Sequence, residues 1–124
     1  MIIRGTIPSK SNCYKIVTVG GHASLCKTPA LKRYEQDFYM QCKHRGVMID
    51  RPFKVYADVY HTSDRPDLDN AFKALLDCLQ YCKVIVNDRK CVEIHARKLI
   101  DKKDPRVEIT LQVLGNDGEY YTLQ

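Results

Sequence analysis

The hydrophobic and polar positions of the chain follow two different periods. Three stretches, at residues 53–60, 92–97 and 107–113, alternate between apolar and polar residues, which is typical of strands that bury one face. The stretches at 2–7 and 13–19 are also β-like. A short extended piece at 23–26 is expected to return from the turn signalled by Gly20 and Gly21.

Two further stretches have apolar residues at helical spacing. Thr28 and Pro29 form an N-cap followed by proline, and the apolar residues after them predict a helix from about 29 to 45, with Gly46 as its stop. A second helix is predicted near 67–82. Its apolar stripe would face a sheet and consists of Phe72, Leu75, Leu76, Leu79 and Cys82.

The order of these elements indicates an α+β fold, with a mixed β-sheet packed against two main helices. At 124 residues, with neither a repeat nor a linker, the chain is expected to form a single domain over residues 1–124. The tail from about residue 115 is expected to be loose. No apolar run approaches the roughly 18 residues of a membrane span, and no signal peptide opens the chain, so we expect a cytoplasmic protein.

The net charge of +5 is unevenly distributed. Residues 1–60 carry 10 Lys and Arg against 4 Asp and Glu, whereas the second half is nearly balanced. A basic surplus attracts phosphate backbone, although an ordinary solvated surface has the same composition. Charge therefore permits a nucleic-acid partner without establishing one.

Six cysteines raise the question of a metal or disulfide framework. Cys78 and Cys82 lie one helical turn apart, and Cys91 precedes His95 by four residues, so these residue types and spacings are compatible with a zinc site. No CxxC pair exists, however, and Cys78 and Cys82 fall among the apolar positions of their helix. Small buried thiols are the favoured interpretation.

The residues that suggest chemistry are acidic. Asp67 and Asp69 stand two residues apart where a loop becomes a helix, Lys73 follows four residues after Asp69, and Asp88 lies in a later turn. Carboxylate oxygens gathered in this way suit a hard cation such as Mg²⁺. If the chain from Val84 runs back along the second helix, Asp88 would meet the other two acids and Lys73 would neutralise the cluster or stabilise developing charge.

Each of these acids also has an ordinary structural explanation. Asp67 could cap the helix, Asp69 could pair with Lys73 at i,i+4, and Asp88 could be a turn residue. An EF-hand is excluded because Ala71 and Phe72 stand where the loop needs an oxygen ligand and glycine. The chain has no Walker A loop, no GxGxxG and no serine nucleophile elbow.

At these positions the chain resembles the RusA-like Holliday junction resolvases, which are small dimeric Mg²⁺-dependent endonucleases of bacteria and their phages and prophages. The family pattern is an Arg/Pro-preceded Asp-x-Asp-Asn, a lysine four residues after the second Asp, a helix, and a further Asp in a turn. The matching residues, within about 64–98, are Arg65-Pro66-Asp67-Leu68-Asp69-Asn70, Lys73, Asp77, Leu79 and Asn87-Asp88. Asn87 departs from members that have a second aspartate there.

The resemblance implies a function and a set of roles. Asp67, Asp69 and Asp88 would bind Mg²⁺ and act in catalysis together with Lys73. A homodimer would resolve four-way DNA by paired phosphodiester cleavage in recombination and repair, without a small-molecule cofactor or a membrane. The basic residues expected to position the DNA backbone are Lys10, Lys15, Lys27, Arg33 and Arg65.

Three other functions are compatible with parts of the pattern. A nucleic-acid-binding module with purely structural carboxylates would bind in a salt-dependent manner but not cut. A Mg²⁺-dependent phosphohydrolase of small molecules would not need the basic first half. A zinc-stabilised interaction domain would lose its metal on replacement of Cys78 and Cys82.

Overall fold

A computed structural model of the protein describes residues 1–9, 13–68 and 70–123, with the backbone alone for Asn70. The two helices are α1, Pro29–Gln41, and α2, Asn70–Tyr81. The strands are β1 Ile2–Arg4, β2 Tyr14–Val19, β3 His22–Lys27, β4 Phe53–His61, β5 Cys91–Ile100, β6 Arg106–Leu114 and β7 Tyr120–Thr122. A short 3-10 helix, Asp88–Lys90, precedes β5.

The main sheet is mixed, which confirms the predicted fold class. Its strand order is β1-β6-β4-β5, with β7 added beside β6. β4 and β5 are parallel, and α2 forms the crossover between them, whereas β6 runs antiparallel to β4. β2 and β3 form a separate hairpin. No helix within the described part of the chain is long and apolar enough to cross a membrane.

The core lies between the two helices and one face of the sheet. In β4, every second residue from Phe53 to His61 is buried, as the alternation predicts. Leu31 and Phe38 of α1 and Leu75 and Leu79 of α2 are likewise buried. The residues on the opposite face of β4, from Lys54 to Tyr60, are only half-buried, and the core forms on the other face.

Helix α1 ends four residues earlier than Gly46 suggested. Cys42 has extended backbone angles, and its N–H closes a tight last turn on the carbonyl of Tyr39. The chain then turns, so that the N–H of Gly46 donates to the carbonyl of Cys82, 3.2 Å away. This bond to the end of α2 competes with another helical turn and stops α1 at Gln41.

The carboxyl-terminal tail was predicted to be loose from about residue 115, but its residues 120–122 form a strand. Residues 120–122 pair antiparallel with 112–114 of β6, after a turn in which Gly118 has a φ of 83°. The ring of Tyr120 lies under the ammonium of Lys54, with the nitrogen 4.2 Å from the ring centroid. The aromatic and β-branched residues at 120–122 thus find a free edge of β6.

Candidate metal and nucleic-acid site

Asp67 lies in the loop between β4 and α2. Its side chain is exposed, and α2 begins at Asn70 rather than at 67 as predicted. The loop is anchored to β5, because Lys98 Nζ donates to the carbonyls of Asp64 at 3.0 Å and Pro66 at 3.2 Å. These bonds fix the backbone of the irregular loop immediately before Asp67, and α2 starts only after it.

Asp88 is the first residue of the 3-10 helix before β5. The side chain of Asn87 caps this helix, accepting from the N–H of Arg89 at 3.0 Å. Asp88 itself is half-buried. Three residues later Cys91 pairs with Phe53, the first residue of β4. Asp88 is therefore held at the amino-terminal end of the parallel β4–β5 pair.

Asp67 and Asp88 lie at opposite ends of that strand pair. Asp67 follows the carboxyl end of β4 at His61, while Asp88 precedes the strand that begins beside Phe53. The eight steps between His61 and Phe53 span about 26 Å of strand. The prediction that the Asp88 turn returns to the start of α2 is thus wrong within one chain. The 84–86 segment instead runs beside Ile49.

Asp69 and Lys10, both predicted site residues, lie outside the described residues. Among the residues that are described, no group of three or more His, Cys, Asp or Glu side chains is close enough to hold a metal ion. Because Asp67 and Asp88 lie at opposite ends of the β4–β5 pair, they cannot bind the same metal ion within one chain.

Lys73 projects from the exposed side of α2. Its ammonium lies 3.6 Å from the carboxylate of Asp77, one turn further along the helix. The same nitrogen stands 5.6 Å from the centroid of the Tyr14 ring on β2. Asp77 and Tyr14, neither of them a predicted metal ligand, thus orient Lys73 toward the β2–β3 hairpin.

A known protein family matches most of the chain. The family described as Endodeoxyribonuclease RusA matches residues 8–112. The chain belongs to the RusA family. No curated protein matches the chain. The match runs from the segment before β2 into β6, so it includes the loop of Asp67, helix α2 and the turn of Asp88. The resemblance noted from the motif is confirmed, and membership supports a DNA endonuclease.

The basic residues predicted to position DNA in this RusA family member differ in their surroundings. Lys15, Arg33 and Arg65 are exposed, and Arg65 lies two residues before Asp67. Lys27 instead forms an ion pair with the buried carboxylate of Glu35, 2.8 Å away. Burial alone would lower the pKa of Lys27, but the hydrogen bond and charge of Glu35 outweigh it and raise that pKa. Because its ammonium is already paired with Glu35, Lys27 is less available to a DNA phosphate than the other three residues.

The cysteines behave as small buried residues in the described part of the chain. All six are free thiols, and Cys78 and Cys82 are buried. Burial raises the pKa of both thiols, Cys78 the more strongly. Among the described residues, no group of three or more potential ligands lies close enough to form a zinc site.

His61, a buried residue near Asp67, was not predicted from the sequence. His61 is only 2% exposed, and neither of its ring nitrogens has a hydrogen-bond partner among the described residues. With Asp67 and Pro66 it lines a cavity of about 20 Å³, enough for one water molecule. Its place at an inward-facing position of the β4 alternation was the available signal, because a histidine there must be buried.

His61 should make the stability of the protein depend on pH. Burial, and secondarily the charge of Lys98, lowers the pKa of His61 below 6.5. The unfolded chain therefore takes up a proton before the folded one does. The free energy of unfolding should fall as the pH drops from about 6.5 toward the lower folded-state pKa, at no more than about 1.4 kcal/mol per pH unit from this group. Denaturant unfolding of wild type and His61→Gln across pH 5–7 measures the difference.

The matched control is His22→Gln, which changes an exposed histidine on β3. It should keep the wild-type pH dependence, while His61→Gln should flatten it. Equal slopes in wild type and His61→Gln would show that His61 does not bind its proton differently in the two states.

Proposed function

We propose that this protein is a Mg²⁺-dependent endonuclease that cuts four-way DNA junctions by paired phosphodiester cleavage, acting in the bacterial cytoplasm in recombination and repair. The observation that carries the proposal is the RusA family match over residues 8–112, which includes both Asp67 and Asp88. The basic surplus of the first 60 residues supports a phosphate-rich substrate.

The chemistry of the acidic side chains fits a divalent cation. Carboxylates on and beside the sheet are already engaged: Asp58 of β4 with Arg97, and Asp101 in the turn after β5 with Arg106. Among the described residues, the carboxylates of Asp67 and Asp88 have no ion pair or hydrogen-bond donor. An aspartate left without a partner at a helix entry or strand entry retains all its oxygen lone pairs for a hard metal ion.

A second copy of the chain would bring the separated acids together. Asp67 and Asp88 lie at the two ends of the β4–β5 pair, so a two-fold axis across β5 places the Asp88 end of one subunit beside the Asp67 end of the other. In the proposed dimer, each metal site combines Asp67 and Asp69 of one subunit with the partner subunit's Asp88. This arrangement reconciles the proposed ligand set with the parallel strand topology.

Strand β5 offers the edge for such a dimer. It has 10 residues, lies at the end of the strand order and pairs on one side with β4. Its Val92, Ile94 and Ile100 are 53%, 40% and 52% exposed. A long edge with exposed apolar residues is a template for another strand. Antiparallel pairing centred between His95 and Ala96 would set Cys91 opposite the partner's Ile100, with Asp88 just beyond it.

Within this site the residues have separate roles. A bound Mg²⁺ supplies polarisation of the phosphodiester and lowers the pKa of the attacking water. Asp67, Asp69 and Asp88 would hold the ion and orient it toward the backbone. Lys73 would stabilise the charge that develops on the phosphate oxygens, and Arg65 would contact a neighbouring phosphate. The dimer would present one such site to each of two strands.

The decisive experiment is incubation with an end-labelled synthetic four-way junction, with Mg²⁺ and with EDTA. We expect symmetric paired nicks with Mg²⁺ and none with EDTA, while a linear duplex of the same sequence is cut far less. Salt-sensitive binding to the junction without nicking in Mg²⁺ would favour the binding module with structural carboxylates and refute the nuclease.

A further inference from the structure

Lys73 contacts two side chains that are not among the proposed metal ligands. Asp77, one turn along α2, approaches the Lys73 ammonium to 3.6 Å and accepts a hydrogen bond from the hydroxyl of Tyr14. The Tyr14 ring also faces the ammonium, at 5.6 Å from its centroid. The three side chains line an open groove of about 460 Å³ between the β2–β3 hairpin and α2.

The Lys73–Asp77 pair by itself would contribute little to stability. The Lys73 side chain is 63% exposed, and exposed ion pairs are typically weak. The order along the helix, lysine before the acid, is also the less favourable one for an i,i+4 pair. A purely structural ion pair would therefore gain little from this placement.

Asp77 differs from an ordinary surface acid because it is fixed from both sides. Its side chain is only 19% exposed, and the Tyr14 hydroxyl anchors the same oxygen that faces Lys73. Burial, and then the hydrogen bond and charge of Asp77, raise the pKa of Tyr14, so the hydroxyl remains a donor. A fixed anion restricts the positions open to an ammonium on a flexible four-carbon side chain.

We propose that Asp77 and Tyr14 are positioning residues that hold the ammonium of Lys73 for its action on the scissile phosphate. The inference rests on the proposed function, in which Lys73 stabilises the transition state. Tyr14 is the first residue of β2, and its bond to Asp77 joins the β2–β3 hairpin to α2. The position of the hairpin therefore affects the position of Lys73.

A double-mutant cycle tests the proposal. Single-turnover cutting of a four-way junction in Mg²⁺ is measured for Asp77→Asn, Lys73→Ala and the double variant, with junction affinity measured in EDTA. We expect Asp77→Asn to cut about tenfold more slowly at unchanged affinity, because small misplacements of a catalytic group are costly. In the Lys73→Ala background, the same change should cost less than about twofold, since its effect passes through Lys73.

Tyr14→Phe gives an independent measurement, because it removes only the hydroxyl and leaves the ring in place. It should slow cutting about threefold, again only when Lys73 is present. The matched control is Asp37→Asn, an exposed acid on α1, which should cut at the wild-type rate. If Asp77→Asn fails to fold, the cycle between Tyr14→Phe and Lys73→Ala decides instead.

The outcomes separate this inference from the function on which it rests. Slow cutting by Lys73→Ala with wild-type cutting by Asp77→Asn and Tyr14→Phe would overturn the positioning role alone. Losses that multiply in the double variants would overturn it as well, because they would not pass through Lys73. If Lys73→Ala itself cut at the wild-type rate, Lys73 would have no role in cleavage, and the positioning role of Asp77 and Tyr14 would be refuted with it.

Discussion

Asp67→Asn should bind a four-way junction as tightly as wild type and cut it at least about a hundredfold more slowly, with Asp69→Asn behaving alike. The amide keeps the size of the side chain but removes the negative charge that would hold the cation. Asp67 is exposed and has no partner among the described residues, so this change should leave the fold intact. Gel-shift affinity in EDTA and single-turnover rates in Mg²⁺ measure the two effects separately.

The control for this experiment lies in the same loop. Asp64 is also exposed and stands three residues before Asp67, so Asp64→Asn changes the charge of the loop by the same amount. It should retain the wild-type rate. If Asp67→Asn cut at the wild-type rate with its metal dependence unchanged, the assignment of Asp67 as a metal ligand would be wrong.

The secondary structure was largely predictable because its signals are local. The alternation from Phe53 and the helical spacing from Leu31 each report which face is buried, and the structure buries those faces. The starts and stops were less predictable. α2 begins at Asn70 because distant Lys98 holds the preceding loop, and β7 forms because β6 has a free edge. Neither cause is adjacent in the sequence.

The sequence shows the motif that carries the family resemblance, but not the geometry of the candidate site. The motif from Arg65 to Lys73 carries the family resemblance, which the match over residues 8–112 confirms. The separation of Asp67 from Asp88 follows from the parallel pairing of β4 and β5, which sequence spacing alone does not reveal. The Tyr14–Asp77 contact joins residues 63 positions apart, and no local pattern indicates it.

Mixing two inactive variants should restore activity if the metal site is shared between subunits. Asp67→Asn and Asp88→Asn homodimers should each be inactive, because every site lacks one ligand. In a heterodimer, one site would carry both substitutions and the other would be intact. Co-expression at equal levels should therefore restore about a quarter of the wild-type nicking, by random pairing of subunits. A plasmid-borne cruciform would be nicked but not linearised, since only one site of each heterodimer is active.

A site built within a single chain predicts the opposite result, because each subunit of the heterodimer would still carry one damaged site. Continued inactivity of the mixture, with heterodimers verified by mass, would therefore refute the shared site. Adding Val92→Lys to both variants tests the proposed β5 interface, since a charge on an edge strand opposes pairing. Restoration should then disappear, whereas Val47→Lys, at a comparably exposed valine outside the sheet, should leave it unchanged. Loss of restoration with Val92→Lys alone would place the subunit contact at β5, and equal restoration with both would place it elsewhere.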